Sequence, residues 1–316
     1  MIIMKIVSAP VHIRRLSILI ALVVPLILCL PCFIYAETFT DGIGRNIELT
    51  KRPERIVSLA PNITEILFAL QLGNKVVGVT DFCDYPEEAK YKPKVGWLIS
   101  PNIENIISLQ PDIVFATTEG NKPEIVDELE RMNIKTYVLN PHNINSVLSS
   151  ITAIGTLTGQ GIVAREIVSS LNLRIDSIKK KASEGRPKRV IYLVSTDPVI
   201  SAGPGSFIHD LILTAGGVNV LSDSPIRYPR IDMEEIILKD PEVIIVPTDL
   251  IEQLQGWKKR WGGISAFKNG MVYPINPDIV SRPGPRIIDG LELINEYIRN
   301  NPETNKKLNI INHKLQ

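Results

Sequence analysis

Two stretches of this chain, Ile103-Glu104-Asn105-Ile106-Ile107-Ser108-Leu109-Gln110-Pro111-Asp112-Ile113-Val114-Phe115-Ala116-Thr117-Thr118 and Met233-Glu234-Glu235-Ile236-Ile237-Leu238-Lys239-Asp240-Pro241-Glu242-Val243-Ile244-Ile245-Val246-Pro247-Thr248, are one segment written twice without a gap. Glu104 matches Glu234, Ile106-Ile107 matches Ile236-Ile237, and Pro111 matches Pro241. Each copy spells a short helix, a proline that stops it, and a β-branched run that reads as a buried strand. Asn102 and Asp232 precede the copies, and both are good helix N-caps. Two similar halves therefore place one glutamate each at equivalent points. That is the pattern of a two-lobed molecule presenting a matched pair of charges.

Outward from the repeat, helix and strand alternate. Phe39 to Leu49 reads as a hairpin turning at Asp41-Gly42, and Arg55 to Leu59 as a short apolar strand. Asn62-Ile63-Thr64-Glu65 has the spacing of a capping box and predicts a helix to Leu72, ended by Gly73. Strands follow at 76–79, 112–116 and 135–139, with helices at 103–110 and 123–132 between them. The second half repeats the order. Arg189 to Leu193 echoes Arg55 to Leu59, a helix over 206–215 ends at Gly216-Gly217, and strands over 243–247 and 271–275 precede a last helix near 285–299. Such alternation predicts parallel sheets covered by helices.

Between the halves, after Gly159-Gln160-Gly161, apolar residues at 163, 167, 168, 171, 175 and 178 share one helical face. Lys179-Lys180-Lys181 suit the C-terminal end of its dipole. A helix of this length spans about 30 Å, enough to bridge two lobes and resist a large hinge motion. The fold class expected is thus α/β, two Rossmann-like lobes with central parallel sheets joined by one long interdomain helix. The N-terminal lobe occupies 37–158, the linking helix 159–184 and the C-terminal lobe 185–316.

The 316 residues suffice for two ordinary cores. Residues 1–36 read as a signal peptide: Arg14-Arg15, an uncharged stretch from Leu16 to Leu30, a break at Pro31, and Ala36 before Glu37. An uncleaved anchor is the alternative, which Pro25 and Pro31 disfavour. Lys5, Arg14 and Arg15 are the only charges there, so the remainder carries 32 basic against 34 acidic residues. No basic stripe exists for nucleic acid. Cys29 and Cys32 fall in the leader and follow Leu28 and Pro31, which disfavours lipid attachment. Cys83 is then the sole mature thiol, so no internal disulfide forms. A soluble periplasmic monomer is expected.

The run Arg55-Ile56-Val57-Ser58-Leu59-Ala60-Pro61-Asn62-Ile63-Thr64-Glu65-Ile66-Leu67-Phe68-Ala69-Leu70 resembles the opening of the helical-backbone (class III) substrate-binding proteins of ABC importers. Val77-Gly78-Val79-Thr80, Cys83-Asp84-Tyr85-Pro86 and Pro101-Asn102-Ile103-Glu104 are similar to their periplasmic vitamin B12-binding branch. Gly203-Pro204-Gly205-Ser206-Phe207 and Arg282-Pro283-Gly284-Pro285-Arg286 fit the same pattern, over about 39–300. The resemblance implies a non-enzymatic receptor with no resident cofactor, which hands cobalamin or a related corrinoid to an inner-membrane permease. Its alternatives are a receptor for ferric siderophore or haem, or a soluble binding module without a permease.

The same resemblance assigns roles. Glu104 and Glu234 dock on permease arginines, by charge-assisted, directional contacts. A glutamate in a first helical turn is also favoured by the dipole, by about 0.3–1 kcal/mol, which accounts for one such residue more readily than for a matched pair. Phe82, Trp97 and Tyr228 form an aromatic wall, with Tyr85 in the same ligand-binding set, and Asp278 and Arg282 meet the corrin edge. Two departures stand out: Phe82 replaces a hydroxylated aromatic, and Thr117 replaces a tryptophan.

Other chemistries fit less well. Ser206, His209 and Asp210 crowd one helical turn, whereas a Ser–His–Asp relay needs elements converging in space, so Gly205-Ser206 is read as a helix start. His142, His209 and His313 stand in unrelated contexts, unlike the ligands of one metal ion. Cys83 beside Asp84 is read as a buried thiol near a turn rather than as a ligand pair.

Overall fold

The computed structural model describes residues 36–299. Apart from Ala36, the expected signal peptide lies outside the described residues, as do Cys29, Cys32, His313 and the C-terminal tail. Among the described residues no helix is long and apolar enough to cross a membrane. Apart from Ala36, Glu37 and residues 48–51, the described residues belong to one body, Thr38–Ile47 with Arg52 onward.

Strands β1 (Glu37–Thr40) and β2 (Asn46–Leu49) bracket the expected turn. Asp41 holds it, accepting from the backbone N–H groups of Ile43 and Arg45 and pairing with the Arg45 guanidinium at 2.7 Å. The first lobe then alternates β3 (Ile56–Ser58), α1 (Pro61–Ala69) and β4 (Val76–Val79). A small antiparallel pair follows, β5 (Gly96–Trp97) with β6 (Ser100–Pro101). Next come α2 (Ile103–Ser108), β7 (Ile113–Thr117), α3 (Pro123–Arg131), β8 (Thr136–Leu139) and α4 (Ile144–Thr158). The sheet is parallel, in the order β4-β3-β7-β8. Every residue of β7 is buried, as a strand covered on both faces requires.

Helix α5 (Gly161–Ser183) leads into the second lobe. That lobe holds β9 (Arg189–Thr196), β10 (Val199–Ser201), α6 (Phe207–Thr214), β11 (Val218–Asn219), α7 (Met233–Lys239) and β12 (Val243–Pro247). It is completed by α8 (Gln253–Trp261), α9 (Ser265–Lys268), β13 (Val272–Ile275), α10 (Asp278–Ser281) and α11 (Ile287–Arg299). Strands β11, β9, β12 and β13 pair in parallel and reproduce the first sheet, while β10 adds antiparallel to β9.

The repeat is a structural device in both lobes. Asn102 caps α2 by accepting from the Asn105 N–H, and Asp232 caps α7 by accepting from the Glu235 N–H. Each helix gives way to a left-handed non-glycine residue, Gln110 at φ 47° and Asp240 at φ 41°. Arg55 Nε donates to the Gln110 carbonyl and Arg189 Nε to the Asp240 carbonyl, so the arginine that opens one strand holds the turn into the next. The acid two residues on returns the contact, Asp112 to the Arg55 N–H and Glu242 to the Arg189 N–H. Both helices run antiparallel to the strands they feed. Their N-termini, with Glu104 and Glu234, therefore stand at the carboxyl edge of each sheet.

One local expectation is overturned. Pro61 occupies the first turn of α1 and Ala60 its N-cap position, with no side-chain cap. Proline starts a helix readily because its missing N–H is not needed there. Asn62 and Glu65 are consequently inside the helix and buried, not a capping box, and the helix ends at Ala69 rather than Leu72. The capping box forms instead at α4, between Asn143 and Ser146.

Helix α5 buries Ala164, Leu171, Ile175 and Ile178; of the expected stripe, Leu171, Ile175 and Ile178 are sealed, whereas Val163, Ile167 and Val168 are only half-buried. Its start lies against α4 so closely that a Cβ on Gly155 would sit 2.4 Å from that of Ala164. Its middle reaches α11 through Arg174, which pairs with Asp289 at 2.7 Å and Glu292 at 2.8 Å. Asp210 of α6 adds a tie, accepting from the Ile144 N–H at the start of α4. Ser206 is the N-cap of α6 and His209 meets the Asn219 amide, so the three do not converge on one another.

Candidate ligand cleft and docking faces

The expected ligand contacts sit on loops beyond the strand ends. The loop after β4 is pinned from beneath. Cys83 is buried, with its thiol 3.1 Å from both Thr64 and Thr80 hydroxyls, and Lys94 Nζ donates to the Cys83 carbonyl. Burial pushes this thiol up, against the hydrogen bonds from Thr64 and Thr80, so it stays a neutral packing group. With Cys83 turned inward, Phe82 turns outward. It meets Trp97, the last residue of β5, edge to face at 5.7 Å. Phe82 is 51% exposed and Trp97 57%, an unsatisfied apolar surface of the kind that marks a binding face.

Asp84 faces the other lobe. Arg282 pairs with it, with Asp278 at 2.9 Å, and at 3.9 Å with Glu65. Arg286 grips Glu65 through two bonds, Nε–Oε2 at 2.9 Å and a second of 2.6 Å to Oε1. Glu65 is only 3% exposed. Burial pushes its carboxyl up, opposed by Arg286 and then Arg282. At Asp84 burial also acts upward, but Arg282 outweighs it and holds the carboxyl below its usual range. Two acids of the first lobe are thus bound to two arginines of the second.

Tyr85 stands apart from the other aromatics. The Arg286 guanidinium lies 3.8 Å from its ring centroid. Tyr85, Arg286, Glu65, Phe68 and Pro285 border a groove of about 630 Å³ that Phe82, Trp97, Tyr228, Asp278 and Arg282 do not line.

On the opposite strand ends, Tyr228 is half exposed and Arg227 covers its ring at 5.5 Å. Arg227 crosses to the first lobe, donating to Glu119 at 2.8 Å. Thr117 is fully buried and its hydroxyl accepts from the Glu119 N–H, so it is a hinge post of this loop rather than a cleft side chain. Glu65, Asp84, Glu119, Arg227 and Arg286 are the residues that sequence reading missed as contacts between lobes. Only the Arg282-to-Arg286 spacing, with both arginines in one quoted motif, hinted at them.

Glu104 and Glu234 are both exposed. Among the described residues no group of three His, Cys, Asp or Glu side chains is placed to hold a metal ion.

Comparison with known proteins matches this architecture. The profile of the periplasmic binding protein family spans residues 56–279. The chain belongs to that family, and it is a substrate-binding protein rather than an enzyme. The vitamin B12-binding protein of Vibrio cholerae is 30% identical over 246 residues, covering 78% of this chain and 89% of that protein. The crystal structure of this Vibrio cholerae protein superposes with a TM-score of 0.73 over 78% of this chain and 97% of that one. An uncharacterized ABC transporter substrate-binding lipoprotein of Bacillus subtilis, YvrC, is 32% identical over 285 residues, 87% of this chain and 88% of its own. The periplasmic heme-binding protein RhuT from Roseiflexus superposes at a TM-score of 0.71 with 25% identity, over 78% of this chain and 97% of that one.

Proposed function

We propose that this chain captures cobalamin or a related corrinoid in the periplasm and delivers it to an ABC importer of the inner membrane. The exposed Phe82–Trp97 pair carries the reading. A macrocycle is held mostly by aromatic area with few polar anchors, and this pair offers area that no protein group covers. Tyr228, Asp278 and Arg282 complete the proposed contact set, whereas Tyr85 lies under Arg286 on its separate groove. The 30% identity to a vitamin B12-binding protein supports the choice. Delivery rests on Glu104 and Glu234, which present one carboxylate per lobe. The chain acts as a monomer, released by cleavage before Glu37.

A second reading, haem, is favoured by the likeness to RhuT and by the partly exposed side chains of Tyr85 and Tyr228, since a tyrosine oxygen can ligate haem iron. Absorption spectra and calorimetry of the purified protein with cyanocobalamin, hemin and a ferric hydroxamate decide between them. Tight binding of cyanocobalamin, weakened more by Trp97→Ala than by Phe82→Tyr, is the expected result. Binding of hemin alone moves the assignment to haem.

A further inference from the structure

The repeated helices keep a second exposed residue besides the glutamate. From the N-caps to the stop prolines, four positions are exposed in both lobes: 102 with 232, 104 with 234, 107 with 237, and 108 with 238. Two of these have diverged, Asn102 against Asp232 and Ser108 against Leu238. Glutamate and isoleucine are the two that agree. The core accounts for Ile106 and Ile236, which are sealed, but not for Ile107 and Ile237, which are 41% and 46% exposed. A scattered exposed apolar residue is ordinary, whereas one at the same register in two diverged copies needs a reason. Ile107 follows Glu104 by three residues and Ile237 follows Glu234 by three, so carboxylate and isoleucine are neighbours on one helix face. Leu238, 84% exposed, widens the apolar part of the second face.

Charge decides what can cover these faces. Glu104 and Glu234 enter no ion pair among the described residues. The acids around them are spent within the chain: Asp112 and Asp232 on backbone N–H groups, Asp240 and Glu242 on arginines. Helix α2 has no cation, and the single cation of α7, Lys239, is drawn off by Asp223 at 2.9 Å. Each face thus joins exposed apolar area to a negative charge that its own helix does not neutralise. A second copy of this chain would set carboxylate against carboxylate, and an anionic lipid surface would repel both faces. A protein surface with an arginine or lysine beside an apolar pocket complements them. Resting on the permease-docking reading above, we infer that Ile107 and Ile237 are the apolar anchors of the two docking faces, each seated in a permease pocket beside the cation that receives the glutamate. The carboxylates steer and orient the approach, and the isoleucines supply the buried area that holds the complex.

Spheroplasts of the cells that make this chain expose inner-membrane permeases outward and supply the partner for the labelled whole protein. Ile107→Ser and Ile237→Ser should each weaken saturable binding about tenfold, at low and high salt alike, because buried apolar area is not screened. The Glu104→Ala, Glu234→Ala double variant should instead weaken it most at low salt. Ile107→Val and Ile237→Val keep most of the apolar surface and should bind nearly as the wild type does. Ile162→Ser, at another exposed isoleucine, should change nothing. None of the isoleucine variants should alter binding of cyanocobalamin or hemin. If the serine variants bind like wild type while the glutamate variant does not, the anchors are wrong and docking by charge alone stands. If the wild type shows no saturable binding, or the glutamate variant binds as tightly, the docking reading falls and the anchors with it. Equal binding to protein-free vesicles of the same lipids would assign the faces to lipid and overturn the inference.

Discussion

The two copies of the repeated segment share a backbone and differ in wiring. In the first lobe main-chain groups help to hold the turn after α2: Arg55 donates to the Leu109 and Gln110 carbonyls, and Asp112 accepts from the Glu54 and Arg55 N–H groups. In the second lobe the same turn is built around ion pairs. Arg189 reaches Asp240 at 3.1 Å and Glu242 at 3.5 Å, and Arg186 adds a further contact to Glu242. Asp240 in addition accepts from the Ser265 N–H and hydroxyl, fastening α9. The lesson is that burial fixes the helix–turn–strand device, whereas the charged shell around it drifts. Both copies keep a buried isoleucine, Ile106 or Ile236, and an exposed glutamate.

The largest effect should come from the contact that joins the lobes. Glu65→Ala leaves Arg286 without its partner in a buried setting and should cost about 3–5 kcal/mol in chemical denaturation. A change below about 1 kcal/mol would mean that water replaces Glu65 freely. The two cores should be matched: Ile106→Ala and Ile236→Ala should each lose about 2–5 kcal/mol, the range for large-to-small changes at sealed sites. A clear gap between them would break the equivalence of the copies.

The wiring should separate the lobes. Glu242→Ala removes contacts to Arg186 and Arg189 and should cost about 1.5 kcal/mol, the low end for charge-assisted bonds, because both arginines are exposed. The arginine contacts, led by the Arg186 hydrogen bond, hold the Glu242 carboxyl below its ordinary range, and Ser265 does so for Asp240. A carboxyl depressed by folding contributes stability that is complete above its unfolded value, about 4, and is lost as pH falls through the folded value. Amide-exchange protection, taken relative to the intrinsic rate at each pH, should therefore fall around β12 and α9 as pH drops below about 4, and Glu242→Gln should flatten that dependence. Equal exchange in wild type and variant would remove Glu242 from the account.

The smallest stability change is expected at Glu104 and Glu234. Both are exposed, so the double alanine variant should stay within about 0.5 kcal/mol of wild type and bind ligand normally. If the pair docks on a permease, the same variant should abolish stimulated uptake, since a desolvated interface carboxylate can matter by about 2–5 kcal/mol. Uptake at the wild-type rate would reduce the repeat to a relic of duplication.

The sequence alone determined the periodic and local features. Apolar runs, prolines and side-chain caps act within a few residues, so the alternation, the caps Asn102, Asp232 and Ser206, the long helix from Gly161 and the inward Cys83 could be read directly. It misread α1, because Asn62 and Glu65 carry a capping spacing whose meaning depended on Pro61 and on a partner far along the chain. Which charges meet across the lobes was decided only by tertiary structure. Glu65 with Arg286, Asp84 with Arg282 and Glu119 with Arg227 are brought together by the packing of the linking helix and the edges of two sheets. No periodicity encodes a contact over such separations, and a buried carboxylate is tolerated only once its arginine has arrived.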